Sequence, residues 1–144
     1  MTDYRYKPLL SEEDQRILGD LDAGSIGPLV LLHASHPRNE GLLIEPDGEA
    51  KQTGICGDSV FVQLSLKGDL VDEIVFTTDG CGFTKACASM ATELVRGRPV
   101  EAALVLTGER IARSLCGLPR EHVHCADLAA NAVREAVQQA REKR

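Results

Sequence analysis

Strict alternation of apolar and polar residues marks the middle of the chain. Val60, Val62, Leu64 and Leu66 interleave with Ser59, Phe61, Gln63 and Ser65. A period of two predicts a strand with one buried face. Lys67-Gly68-Asp69 follows as a tight turn, after which Leu70, Ile74, Phe76 and Thr78 share a face in a second strand. Two alternating runs joined by so short a turn predict an antiparallel hairpin. Glu49 to Thr53 reads as a third, weaker strand.

Beyond this hairpin the period becomes helical. Phe83, Cys87, Met90, Ala91 and Leu94 recur on one helical face, with Gly97 as the stop. Val100 to Leu106 predicts a short helix with Pro99 near its first position, and Gly108 to Leu115 another with Ile111 and Leu115 inward. The last helix has the clearest stripe: Leu128, Ala129, Ala132, Val133, Ala136, Val137 and Ala140. Asp127, Asn131, Arg134, Glu135 and Gln138 lie outside it. Ahead of the hairpin, Leu29 to Ala34 predicts a short apolar helix, and Pro37 disfavours helix at His36. The expected class is α+β: a small antiparallel β-sheet of about three strands, packed on one face by several α-helices.

Residues 1–28 mix acidic side chains with Gly19, Gly24, Gly27 and Pro28. They read as an amino-terminal extension, partly helical or flexible, ahead of a domain over 29–144. A short helix is expected around Ser11 to Leu18, with Ser11 as its cap.

Three cysteines stand at element ends rather than inside apolar stripes. Cys56 and Asp58 lie two apart just before the first long strand, so an extended backbone aims both to one side. Cys81 is flanked by Gly80 and Gly82 where the second strand gives way to a helix. Glycines there allow close backbone approach to a bulky group, and a helix start offers free N–H groups. The hairpin brings the residue before one strand near the residue after the other, hence Cys56 near Cys81. Cys125, preceded by His124, opens the last helix and points along its inward stripe. A helix amino terminus is expected to lower its thiol pKa. Three thiols with Asp58 or His124 suit a metal ion or an iron–sulfur cluster. Cys87 and Cys116 are expected to pack as small apolar residues. His33 and His122 are expected at the surface or as caps.

Composition narrows the function. The chain has 144 residues, a net charge of −6, five Cys, two Tyr, three Phe and no Trp. The negative charge argues against nucleic acid and against an anionic membrane surface as partners. Few aromatics also argue against base stacking. No apolar run approaches the roughly 18–20 residues of a membrane span. Residues 1–10 lack a charged-then-apolar secretion pattern, so the expected compartment is cytoplasmic, with reduced thiols.

The motifs together resemble a known family. Cys56-Gly57-Asp58, Gly80-Cys81-Gly82 and His124-Cys125 resemble the three cysteine motifs of the iron–sulfur cluster assembly scaffolds of the IscU and NifU amino-terminal type. His33-Ala34-Ser35-His36-Pro37-Arg38-Asn39-Glu40-Gly41 is similar to that family's His-x-x-Asn-Pro-Arg-Asn-x-Gly element, with His36 in place of Asn. Thr92-Glu93-Leu94-Val95-Arg96-Gly97 matches its Thr-Glu-Leu-Val-x-Gly segment, and Leu118-Pro119 stands before His124-Cys125 as in the family. The resemblance runs in order over about residues 29–140.

It implies a scaffold or carrier rather than an enzyme. A cysteine desulfurase would supply sulfur as a persulfide, and a labile cluster would be built and passed to apo iron–sulfur proteins or carriers. Carried over to this chain, Cys56, Cys81 and Cys125 are cluster ligands. Asp58 is a ligand in some states and promotes release. His124 is an alternative fourth ligand, and Cys125 is the candidate persulfide acceptor. A two-iron cluster within one chain is the first expectation. A four-iron cluster shared in a homo-oligomer is the second, and zinc suits the same donors. Leu118-Pro119-Arg120-Glu121-His122 keeps only two residues of the family's chaperone-recognised Leu-Pro-Pro-Val-Lys, so no chaperone partnership is carried over. The alternative is a zinc-binding sulfur acceptor of the SufU type, but the Cys81–Cys125 interval lacks that branch's long insertion.

Overall fold

The computed structural model describes residues 27–143. The helix expected at Ser11 to Leu18 lies outside these residues. The elements in order are α1 (Pro28–Ser35), β1 (Gly48–Thr53), β2 (Ser59–Lys67), β3 (Leu70–Thr78), α2 (Gly82–Val95), α3 (Val100–Leu104), α4 (Gly108–Ser114), a 3-10 turn (Arg120–His122) and α5 (Val123–Glu142). The strands form one antiparallel sheet in the order β1-β2-β3. This is the expected α+β arrangement, with β1 confirmed as the third strand. No helix among the described residues is long and apolar enough to cross a membrane.

Alternation in β2 buries Val60, Val62 and Leu64 beneath the helices. In β3 the alternation breaks. Ser65 pairs with Glu73 and Leu66 with Val71, which leaves Asp72 as an extra residue. This bulge shifts the side-chain phase by one. Val71 and Ile74 therefore both point inward, while Leu70, expected on the buried face, is 45% exposed. Burial of side chains the size of Leu64, Ile74 and Phe76 stabilises by about 1.5–3 kcal/mol each.

Helix α5 is the main cover of the sheet. It packs on β1 and β2 and touches α2, α3 and α4. Its buried stripe is the one read from the sequence, with Ala126 and Ala130 added. Alanines let the helix approach to backbone contact. A Cβ on Gly48 would meet the Ala136 carbonyl oxygen and lie 2.6 Å from Ala140 Cβ. Side-chain tethers reinforce the seam: Gln139 Oε1 accepts from the Glu49 N–H at 2.8 Å, and Gln52 donates to Glu135 at 2.5 Å.

His33, expected at the surface or as a cap, is buried against α2. Its Nδ1 lies 2.6 Å from Ser89 Oγ, and the same oxygen accepts the Arg38 N–H at 2.8 Å. Asn39 donates to Thr92 Oγ1 at 3.0 Å, and its carbonyl accepts the Phe76 N–H at 3.0 Å. This network seats the segment 38–41 against α2 and β3. Burial, then the nearby Arg38 charge, holds the His33 pKa below its ordinary 6.5, with Glu93 opposing.

Two outcomes follow from this packing. Gly48→Ala should cost about 1–3 kcal/mol, the range for overpacking. Urea denaturation reads it, with the exposed Lys51→Ala within about 0.5 kcal/mol of the parent as control. For His33 the unfolded chain takes up a proton before the folded chain does. Its contribution to stability is therefore full above about pH 6.5 and is lost as pH falls through that value towards the lower folded pKa. The urea midpoint should fall between about pH 7.5 and pH 5.5, and less steeply in His33→Asn than in the parent.

Candidate metal centre

One end of the sheet gathers every predicted ligand. The segment linking β1 to β2 is a closed turn: Gly54 N–H donates to Asp58 O at 2.8 Å and Gly57 N–H to Gly54 O at 3.0 Å. The expected extended backbone is thus absent, and Cys56 and Asp58 address different partners. Cys56 Sγ lies 3.3 Å from His124 Nε2. Asp58 Oδ2 accepts from Thr84 Oγ1 at 2.9 Å.

Cys81 is the amino-terminal cap residue of α2, in extended conformation. The turn before it is pinned by Thr78 Oγ1, which accepts the Gly80 N–H at 3.0 Å, and by Asp79 Oδ1, which accepts the Ser59 N–H at 2.8 Å. Gly80 is required by close approach, since a Cβ there would lie 2.7 Å from Thr84 Cβ and 2.9 Å from Asp58 Oδ2.

Cys125 occupies the first turn of α5 and is 1% exposed. Thr84 Oγ1 lies 3.4 Å from its sulfur, and His124 Nε2 lies 3.8 Å away. The helix start was expected to lower this thiol's pKa. Burial instead pushes it up to about 11, with the Thr84 hydrogen bond opposing and Cys81, Cys56 and Asp58 adding to the rise. Desolvation is the largest influence on this thiol.

His122, expected at the surface or as a cap, is the half-buried cap residue of α5, and its side chain makes no capping hydrogen bond. Its ring stacks on Phe83 with centroids 3.7 Å apart and planes 9° from parallel. One ligand atom each of Cys81, His122 and Cys125 all lie within 4.8 Å of one another. The signal in the sequence was the three-residue interval from His122 to Cys125, which places both on one side of a helical turn.

A family model described as NifU-like N terminal domain matches residues 28–144. The chain belongs to this family. Its relatives include "Iron-sulfur cluster assembly scaffold protein IscU 1" of Archaeoglobus fulgidus, 38% identical over 106 residues, covering 73% of this chain and 69% of that one. "Iron-sulfur cluster assembly scaffold protein IscU" of Aquifex aeolicus is 37% identical over 112 residues, covering 75% and 71%. The crystal structure of a NifU-like protein's amino-terminal part from Brucella abortus superposes with a TM-score of 0.64 at 22% identity, over 82% of this chain and 95% of that one. FiSufU of Fervidobacterium islandicum superposes with a TM-score of 0.67 at 13% identity, over 81% and 98%. These two likenesses show the fold.

The other two cysteines of this NifU-like domain diverge. Cys87 is buried as expected, and burial raises its thiol pKa far above the ordinary range. Cys116, expected to pack, is exposed. It takes the left-handed position after α4, with φ +67°, and its N–H donates to Arg113 O at 2.9 Å. That backbone turn directs the side chain outward.

All five thiols are free. Metal-free protein treated with iodoacetamide near pH 8 should therefore label Cys56, Cys81 and Cys116 first, then Cys125, with Cys87 last. Thr84→Val should slow Cys125 further, because the hydroxyl partly offsets burial. Timed peptide mass mapping reads the order, and Cys125 reacting as fast as Cys56 would contradict the burial argument.

Proposed function

We propose that this chain is a scaffold on which an iron–sulfur cluster is assembled and from which it is handed on. The observation that supports this best is the approach of Cys81 to Cys125, with Cys56 against the neighbouring His124, on a chain whose relatives are named as such scaffolds. Asp58 and His124 stand at the same end of the sheet. Together these residues form the proposed ligand set, with Asp58 or His124 completing the three thiolates around a two-iron cluster. A four-iron cluster shared between two chains is the larger alternative. Zinc, which takes sulfur, nitrogen and oxygen donors tetrahedrally, is a substitute cargo.

Sulfur would arrive from a cysteine desulfurase. In the proposed step the Cys125 thiolate attacks the outer sulfur of the donor's persulfide. The new S–S bond is on Cys125, and the donor leaves as a thiolate. Cys125 is enclosed, whereas Cys56 and Cys81 are exposed, so this step requires the 54–58 turn to move aside. Two electrons from a thiol reductant then convert the bound sulfane sulfur to sulfide. A mixed shell that includes a carboxylate is weaker than four thiolates, which suits a cargo destined for apo-proteins or carriers. The proposed compartment is the cytoplasm.

Anaerobic incubation with ferrous iron and sulfide tests this reading. The parent should develop visible sulfur-to-iron charge-transfer absorption and transfer the cluster to an apo-ferredoxin. Cys56→Ser, Cys81→Ser and Cys125→Ser should each lose most of that absorption. Asp58→Ala should hold its cluster longer than the parent. Absence of both absorption and transfer in the parent would remove the scaffold reading, and faster loss from Asp58→Ala would remove the release role.

A further inference from the structure

Among the described residues, a cleft away from the cysteines is lined by two cations and no carboxylate. It lies where the end of α2 meets α3 and α4, and it measures about 260 Å³. Leu94, Val95, Val105 and Leu106 supply its apolar surface, and Arg98 and Arg110 its charge. We propose that this cleft seats the chain's own acidic segment, residues 9–22, in cis. The proposal does not rest on the scaffold reading, because none of these residues belongs to the proposed ligand set.

The cleft leaves both apolar surface and charge open. Val95 and Leu106 are buried, yet Val105 is 73% exposed. Arg98 and Arg110 are exposed as well. The ion pairs among the described residues are Glu40–Lys85, Glu73–Arg96 and Glu109–Arg113, so neither arginine has a carboxylate partner there. On a chain of net charge −6, two such cations beside an exposed apolar surface select a ligand that is both acidic and apolar.

Residues 9–22 have that chemistry. Leu9, Leu10, Ile17, Leu18 and Leu21 are interspersed with Glu12, Glu13, Asp14, Asp20 and Asp22, against Arg16 as the one cation. The point of entry also fits. A Cβ on Gly27 would lie 3.9 Å from the Leu115 carbonyl oxygen, so the chain joins the described body at the carboxy-terminal cap of α4. Arg110 stands earlier on that helix, about 7.5 Å away at 1.5 Å per residue. Residues 22–27 span up to about 17 Å when extended. Asp22 therefore reaches the Arg110 rim, which brings Leu18 and Leu21 to the cleft. Tethering gives the segment an effective concentration on the order of millimolar, so contacts too weak to hold a free peptide suffice.

The test uses the full chain with a photoreactive side chain in the cleft, Val105→p-benzoylphenylalanine. Irradiation of dilute protein, followed by peptide mass mapping, should find the probe joined to residues 9–22 in a product of monomer mass. Adding Arg98→Glu and Arg110→Glu together should lower that yield at least about threefold, since two attractions become repulsions. Glu12→Lys, Glu13→Lys and Asp14→Lys in the same chain should restore it. Restoration shows that charge, and not a damaged fold, set the loss. The control probe replaces exposed Lys51 on β1, whose side chain points away from the helical layer, and should not capture residues 9–22. Three results would overturn the proposal. The first is no capture of residues 9–22 from position 105, or capture equal to that from position 51. The second is a yield unmoved by the arginine reversals. The third is capture only at doubled mass, which would make the cleft a contact between two copies of the chain.

Discussion

Backbone contact between α5 and the edge strand β1 sets the position of the chemistry at the far end of the helix. Gly48 has no room for a Cβ against Ala136 and Ala140. A helix pressed that closely onto a strand has little freedom to slide or tilt. Twenty residues of α5 span about 30 Å, so contact near its carboxy-terminal half fixes where its first turn lies. That turn carries His124 and Cys125. The alanine stripe matters less for the apolar area it buries than for the distance it permits. Larger buried side chains lie on the neighbouring strands: Leu64 on β2, and Ile74 and Phe76 on β3, which packs against α2.

The hairpin supplies the second constraint. Val60 at the start of β2 pairs with Thr78 at the end of β3, so the segments carrying Asp58 and Cys81 must emerge side by side. Thr84, fully buried one turn into α2, then lies between Asp58 and Cys125 and close to Cys81, with its hydroxyl 3.8 Å from that sulfur. One hydroxyl proton serves several acceptors there. The polar shell around Cys125 is therefore sparse, and desolvation dominates its thiol chemistry.

Much of this was legible in the chain. The period-two runs, the turn at Gly68 and the α5 stripe all follow from local patterns. What escaped them depends on a partner element. Asp72 looks like any polar strand residue until its pairing with β2 shows it as a bulge that exchanges Leu70 for Val71. His33 reads as a surface or capping residue, and the Ser89 hydroxyl on α2 makes its burial tolerable. His122 reads as a surface or capping residue, and its orientation comes from Phe83, 39 positions earlier on another helix. Cys116 differs because its exposure arises from a single left-handed backbone angle that side-chain periodicity does not encode.

The manner in which the 54–58 turn is held bears on how such a site opens. Two backbone hydrogen bonds, Gly54 N–H to Asp58 O and Gly57 N–H to Gly54 O, close within the turn itself. Its links to the helical layer are side-chain ones: Cys56 to His124, Asp58 to Thr84, and Gly54 lying against Leu128. Ile55 at the tip is 93% exposed and adds no packing. Displacing the turn therefore breaks two hydrogen bonds and one contact, while the ladder from Thr53–Ser59 onward stays paired. A net hydrogen bond contributes about 0.5–1.5 kcal/mol, so the displacement is cheap compared with unfolding. Cys81, His122 and Cys125 sit on α2, the 3-10 turn and α5, whose positions are set by the core. The site is thus built from a fixed wall that carries the compact donor group and a movable edge that carries Cys56 and Asp58. For the proposed scaffold, this division suits a cargo that enters and leaves without disturbing the fold.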